Sequence, residues 1–363
     1  MATTAFPVNS AQTVKLYAKR LFREALKETY VNRFMGETTG SLVYVRNELS
    51  KSAGDQIKYS LRMQLSGDGV VGDGTLEGNE EELAIYQDSM LIDQSRHAVR
   101  SGGRMSEQRV PFSVREEALD GLRDWFADRI DTGFFNHIAG NTSANSSPNK
   151  FGNNTITAPS TSRLYVGKGG CATASITTTP TSTSSGISRG KYFGLRHIDK
   201  CVNAAKIASP LIRPVMVDGQ PKYVMFLHPN QVRQLKKAAL NTNYITWFDI
   251  MRARAEGGDI KMNPIYNGAL GEYQGVILHE SVRVPASDAN NQQLRQAIFC
   301  GAQAACMSFG QEDSDRQMKW VEEFFDYENQ LGVSAALIWG IKKSIFNSVD
   351  FGTITTLTHS ANP

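Results

Sequence analysis

The stretch IKYSLRMQLSGDGVVGDGTLEGNEEELAIY, residues 57–86, supports two incompatible readings, and the choice between them decides the fold. Gly67, Gly69 and Gly72 spell G-x-G-x-x-G, the spacing of a dinucleotide-binding turn. Such a turn needs a buried parallel strand before it and a helix opening at its last glycine. Here Ile57, Tyr59, Leu61, Met63 and Leu65 alternate strictly with Lys58, Ser60, Arg62 and Gln64. That is a strand with one apolar and one polar face, not one buried on both. After Gly72 comes DGTLEGNEEE, whose carboxylates would repel a phosphate. The glycines therefore serve a turn region. A second extended run follows over residues 83–100, so the simplest geometry is a long two-stranded hairpin. Its tip carries Asp68, Asp73, Glu77, Glu80, Glu81 and Glu82 and no basic residue.

A lone hairpin with one apolar face is marginal in water. The stripe from Ile57 to Leu65 must be covered, by the rest of its chain or by another copy. The N-terminal segment favours the second option. Residues 11–35 read as a helix, with Val14, Tyr17, Ala18, Leu21, Phe22 and Ala25 at three- and four-residue intervals. Its polar side sets Lys15, Lys19, Arg20, Arg23, Lys27 and Arg33 against Glu24 and Glu28, a local excess of 6 − 2 = +4. That side reads either as a solvated face or as an arm seeking an acidic surface.

Composition narrows the function. The 363 residues carry a formal net charge of +3, too weak for a dedicated nucleic-acid binder. No run of eighteen apolar residues exists, and MATTAFPVNS lacks the regions of a signal peptide, so a cytoplasmic protein is expected. Cys171, Cys201, Cys300 and Cys306 form no C-x-x-C pair and read as reduced thiols, at least two of them small fillers in strands or helices.

Downstream, PFSVREEALDGLRDWFADRIDTGFFNHIAGN (residues 111–141) reads as a helix of about 26 residues, roughly 40 Å long. Ser113 and Glu116 have the spacing of a capping box, and Leu119, Leu122, Phe126, Ile130 and Phe134 line one face. Residues 141–190 are Ser-, Thr-, Asn- and Gly-rich and read as an irregular excursion, with short strands near 163–166. A helix over 192–208, the strand and helix of KYVMFLHPNQVRQLKKAAL, and strands in YQGVILHES and LRQAIFCGAQAACMSFG make a mixed region. KWVEEFFDYENQLGVSAALIWGIKKSIFN reads as long strands turning at residues 329–332.

Catalytic patterns fail on context. GISRG (residues 186–190) matches a nucleophile elbow centred on Ser188, but TTTPTSTSS upstream cannot be its buried strand. His197, His228 and His279 are scattered and fit no metal motif. The acidic tip lacks the order of a calcium loop, and VGKGG is too short for a phosphate loop. No catalytic, cofactor or metal site is expected.

The succession of basic arm, long hairpin, long helix, mixed region and terminal strands is similar to the Hong Kong 97-type capsid fold. LRMQLSGDGVVGDGTLEGNEEEL followed by IDQSRHAVRSGGRMSEQRVPFSVREEALDGLRDWFADRID resembles the major capsid proteins of the N-four-like phage family. The resemblance implies an α+β chain divided into an N-terminal arm (1–40), an extended hairpin loop (41–110), a spine helix (111–140), a Ser/Thr-rich insertion (141–190), an axial domain (191–305) and peripheral strands (306–363). It implies a non-enzymatic shell subunit, closing as hexamers and pentamers around double-stranded DNA. A separate scaffolding protein and a portal would be partners, a decoration protein is left open, and no membrane is involved. The expected subunit contacts are Lys19, Arg20, Arg23 and Lys27 on the arm, Ile57, Tyr59, Leu61, Met63 and Leu65 on the stripe, and the acids of the tip. Rival readings are another self-associating virion or surface-layer protein and, remotely, a hydrolase using Ser188.

Overall fold

The computed structural model describes residues 21, 25, 29–46, 54–62, 65, 67, 69–83, 85–109, 113–146, 154–166, 172–173, 193–217, 219–240, 269–286, 294–310 and 318–359. The capping-box helix is present as Val114–Ala139, 26 residues ending at Gly140. Its capping box is not formed. Ser113 caps through its backbone carbonyl, which accepts the amides of Glu116 and Glu117. Leu119, Leu122, Phe126, Ile130 and Phe134 are all buried, as their spacing requires.

This helix lies against a six-stranded sheet. In order, its strands are Met35–Gly36, Val43–Arg46, Ala305–Phe309, Gln330–Lys343 and Met318–Phe325. Asp93–Arg100 joins from the other side of Gln330–Lys343, since Leu337 faces both Met318 and Ser95. Odd-numbered residues of the long strand, from Val333 to Ile341, enter the core shared with the helix. Even-numbered ones face outward. The terminal turn falls at residues 326–329, earlier than the sequence suggests. Asp326, Tyr327 and Glu328 take left-handed backbone there although none is glycine.

A second, eight-stranded sheet runs Ala269–Tyr273, Val276–Glu280, Gln220–Leu227, Leu294–Cys300, Thr353–His359, Leu164–Val166 and Ala172–Thr173, with Val215–Val217 beside Gln220–Leu227. Gln220–Leu227 is buried on both faces. Val224 and Phe226 point into the long helix's core, whereas Tyr223, Met225 and Leu227 pack with Leu195–Ile207 and Pro229–Leu240. LRQAIFCGAQAACMSFG is thus two strands in different sheets, and the chain crosses between them at residues 301–304. Thr353–His359, expected among the strands beside the long helix, lies instead in the second sheet, paired with Leu294–Cys300. Val43–Arg46 and Asp93–Arg100, expected within the hairpin loop, are strands of the first sheet.

The N-terminal helix does not reach residue 35. Leu21 and Ala25 are helical and buried, but Tyr30–Phe34 is a 3₁₀ turn followed by strand Met35–Gly36. The reason lies 100 residues away. Asp131 of the long helix accepts the amides of Tyr30 (3.0 Å) and Val31 (3.1 Å), so these donors are satisfied without a continuing helix. Asp131 also holds Arg283 at 3.2 Å, beside Asp128 at 3.0 Å. Burial pushes the Asp131 carboxyl above its ordinary range, while the two amides and Arg283 pull the other way. Cys201, Cys300 and Cys306 are buried free thiols, and burial pushes the Cys300 thiol far up. Cys171 and Ser188 lie outside the described residues.

Candidate functional site

The hairpin is present as Gln56–Arg62 paired with Ile85–Leu91. Ile57 and Tyr59 stand opposite Met90 and Asp88, and Leu61 pairs with Tyr86, so the alternation in the sequence puts Ile57, Tyr59, Tyr86, Asp88 and Met90 on one face. At the base this face is covered by its own chain. Ile57, Tyr59 and Met90 are buried with Cys306, Phe346 and Phe351, with Tyr44, Tyr86 and Ile92 packed around them. Ile57 and Tyr59, expected at a subunit contact, are therefore internal. The cause is chain continuity: Ile85–Leu91 runs on into Asp93–Arg100 of the first sheet, which lays the base over that sheet's outer face. Gly340 makes the close crossing possible, because a Cβ there would sit 2.2 Å from the Leu91 carbonyl oxygen.

A buried carboxylate fastens this base. Asp88 accepts the Tyr59 hydroxyl at 2.7 Å, the Ile345 amide at 3.2 Å and the Lys342 ammonium, which also donates to the Ser89 carbonyl at 2.8 Å. Burial, reinforced by Asp88, pushes the Tyr59 phenol well above its ordinary value, so it remains a donor. Asn154 adds a two-way clamp, donating to the Leu91 carbonyl (2.6 Å) and accepting its amide (2.9 Å). Behind it Lys343 and Asp350 form a buried pair at 2.9 Å. The sequence reading missed Asp88. The available signal was an acid on the face otherwise carrying Tyr86 and Met90.

The far end is different. Val71 is 90% exposed, and Leu65, Leu76, Leu83 and Ile85 are each about half exposed or more. Asp73, Glu77, Glu80, Glu81 and Glu82 are exposed there too. The end is folded on itself by short contacts. The Gly67 amide donates to Glu81 at 2.7 Å and the Gly78 amide to Glu80 at 2.8 Å. Gly69 (φ 68°) and Gly72 (φ 71°) take left-handed backbone, and the next element is the strand Ile85–Leu91. That is a turn region, not a nucleotide fingerprint. Lys19, Arg20, Arg23, Lys27, Met63 and Asp68 lie outside the described residues; Leu61 is placed by its pairing with Tyr86.

Among the described residues no group of His, Cys, Asp and Glu could hold a metal, and no helix is long and apolar enough to cross a membrane. Two of the histidines are spent on packing. His137 is buried and pushed down to about 3, by burial and then by Lys343 and Lys342. His279 sits within the ring cluster of Tyr30, Phe34 and Phe226. What the molecule presents is a fastened arm with an unsheltered end.

Residues 5–361 match the model of a family described as phage capsid protein. The chain belongs to that family. It is 30% identical to the major capsid protein of Pseudomonas phage KPP25, over 95% of this chain and 94% of that protein. The capsid of Ralstonia phage GP4 superposes with a TM-score of 0.77 at 27% identity, covering 100% of this chain and 95% of that one. The capsid of cyanophage Pam1 shares the fold, with a TM-score of 0.70 at 20% identity over 93% of this chain and 94% of that one. The α+β architecture of this capsid protein is thus the Hong Kong 97-type capsid fold. As a phage capsid protein it is a structural component of the virion shell, where subunits associate with one another.

Proposed function

We propose that this capsid protein is the shell-forming subunit of a tailed double-stranded DNA phage, and that the exposed end of its hairpin reaches a neighbouring copy. The observation that carries the reading is the contrast along one hairpin. The base is fastened by Asp88, Lys342 and Asn154, while the far end leaves Leu65, Val71, Leu76, Leu83 and Ile85 in solvent. Holding a half-apolar arm rigidly away from the body is unfavourable for a lone molecule and useful for one completed by its siblings. Copies would close as hexamers and pentamers, and obligate contacts of this kind bury more than roughly 2,000 Å². The weak net charge of +3 suits a container that must not grip its DNA.

The arm residues Lys19, Arg20, Arg23 and Lys27 would seek acidic surface on a neighbour, and a scaffolding protein and portal would take part in assembly in the host cytoplasm. No catalytic role is assigned to any residue. Electron microscopy of the purified protein tests the reading. Closed shells or capsomers support it; tubes, flat lattices or inert monomers overturn it. Deleting residues 66–82 should leave a folded subunit that assembles poorly, because the base contacts are untouched.

A further inference from the structure

Two connections between the sheets cross at a pair of glycines. Leu294–Cys300 leaves the second sheet and enters the first at Ala305, and the chain from Lys343 returns through residues 344–352 to Thr353–His359 of the second. Where they pass, the Gly301 amide donates to the Gly352 carbonyl at 2.8 Å. Side chains are excluded there. A Cβ on Gly301 would lie 2.4 Å from the Arg213 carbonyl oxygen, and one on Gly352 would lie 2.8 Å from that of Ala302. Small residues just outside the ends of strands are where a joint absorbs a change of angle.

The second sheet also meets the long helix, through Phe226 against Phe134 and Phe135. Into this contact the Tyr30–Phe34 turn inserts two rings. Phe34 lies 5.1 Å from both Phe226 and His279 of the sheet. Tyr30 lies 6.3 Å from the same two residues and 6.0 Å from Phe135 of the helix. The turn is held by a side chain rather than by a strand ladder. Asp131 accepts its first two amides and faces Arg283, which follows Val276–Glu280 of the second sheet. One helix carboxylate thus ties the arm and the second sheet together. Seating is not without penalty: among the described residues the buried Tyr30 hydroxyl has no hydrogen-bond partner, a loss that withdrawal into water would relieve.

We propose that the Tyr30–Phe34 turn is a wedge, pinned by Asp131, that fixes the angle between the second sheet and the long helix about the Gly301–Gly352 crossing. A pull on the arm N-terminal to Tyr30 then becomes a rotation of the second sheet, with the first sheet and the hairpin base left in place. This is a property of the single subunit and does not depend on the shell reading.

The test uses the full-length subunit before assembly, with spin labels on Glu117→Cys of the long helix and Asn203→Cys of Leu195–Ile207, both exposed positions, in a Cys171→Ser background. Cys201, Cys300 and Cys306 are buried and stay unlabelled. The starting chain should give one narrow distance. Tyr30→Ala, which removes the ring, and Asp131→Asn, which keeps the size of the pin but not its charge, should each make the distribution about twice as wide. Hydrogen exchange in Tyr30–Phe34 should rise roughly tenfold in both, with Gln330–Lys343 unchanged. A width unchanged in either variant would overturn the pinned wedge. So would exchange that rises equally in Gln330–Lys343, because that is a loss of stability throughout the subunit rather than the release of one joint.

Discussion

Replacing Asp88 by alanine should loosen the hairpin as a unit. The carboxylate receives a phenol, the Ile345 and Ser89 amides and an ammonium, and its side chain is 9% exposed against 20% for Lys342. Each hydrogen bond to a charged group is worth about 1.5–3 kcal/mol, but the four are not additive, and Lys342 keeps the Ser89 carbonyl. Leaving an ammonium in this half-dry site without its anion is the larger effect. The sum is about 3–5 kcal/mol of subunit stability. Tyr59→Phe removes one donor and spares the ion pair, so it should cost about 1 kcal/mol. Asp88→Ala with Lys342→Met leaves no stranded charge and should cost less than its two parts added. Equilibrium urea unfolding of the unassembled subunit reads these values, and hydrogen exchange should localise the loss to residues 56–62 and 85–91. An Asp88→Ala variant that loses under about 1 kcal/mol, or a double variant with strictly additive losses, would refute the view that this carboxylate fastens the arm.

Three further outcomes follow from other contacts. Gly340→Ala places a methyl group 2.2 Å from the Leu91 carbonyl, so the base must lift; a loss of about 1–3 kcal/mol and faster exchange at residues 85–91 should appear in the same measurements. Asp131→Ala strips the Tyr30 and Val31 amides of their acceptor, and exchange in Tyr30–Phe34 should rise well before that of Leu294–Cys300. For His137, the folded value of about 3 lies below the ordinary 6.5, so its contribution is complete above pH 6.5 and is lost as pH falls toward 3. That loss amounts to about 5 kcal/mol; His137→Gln should flatten the acid side of a stability-versus-pH curve, and an unchanged acid slope would contradict the burial of a neutral imidazole.

Local pattern made part of this legible. Strict alternation at residues 57–65 marked the strand and its apolar face, because side chains of a strand point alternately to its two faces. The apolar face of Val114–Ala139 and the stop at Gly140 were equally readable. The 3₁₀ turn of Tyr30–Phe34 was not, since its cause is Asp131, a residue distant in sequence. The turn at residues 326–329 escaped because three non-glycine residues adopt a conformation that composition does not advertise.

By itself, then, the sequence determined that a hairpin exists, that one of its faces is apolar and that its end is acidic. Tertiary structure alone decided how that apolar face is shared out: its base lies under Phe346 and Phe351 of the same chain, and its end stands in solvent. Periodicity encodes which side of a strand seeks cover. What supplies the cover depends on where chain continuity and strand pairing bring distant segments together, and no local pattern records that.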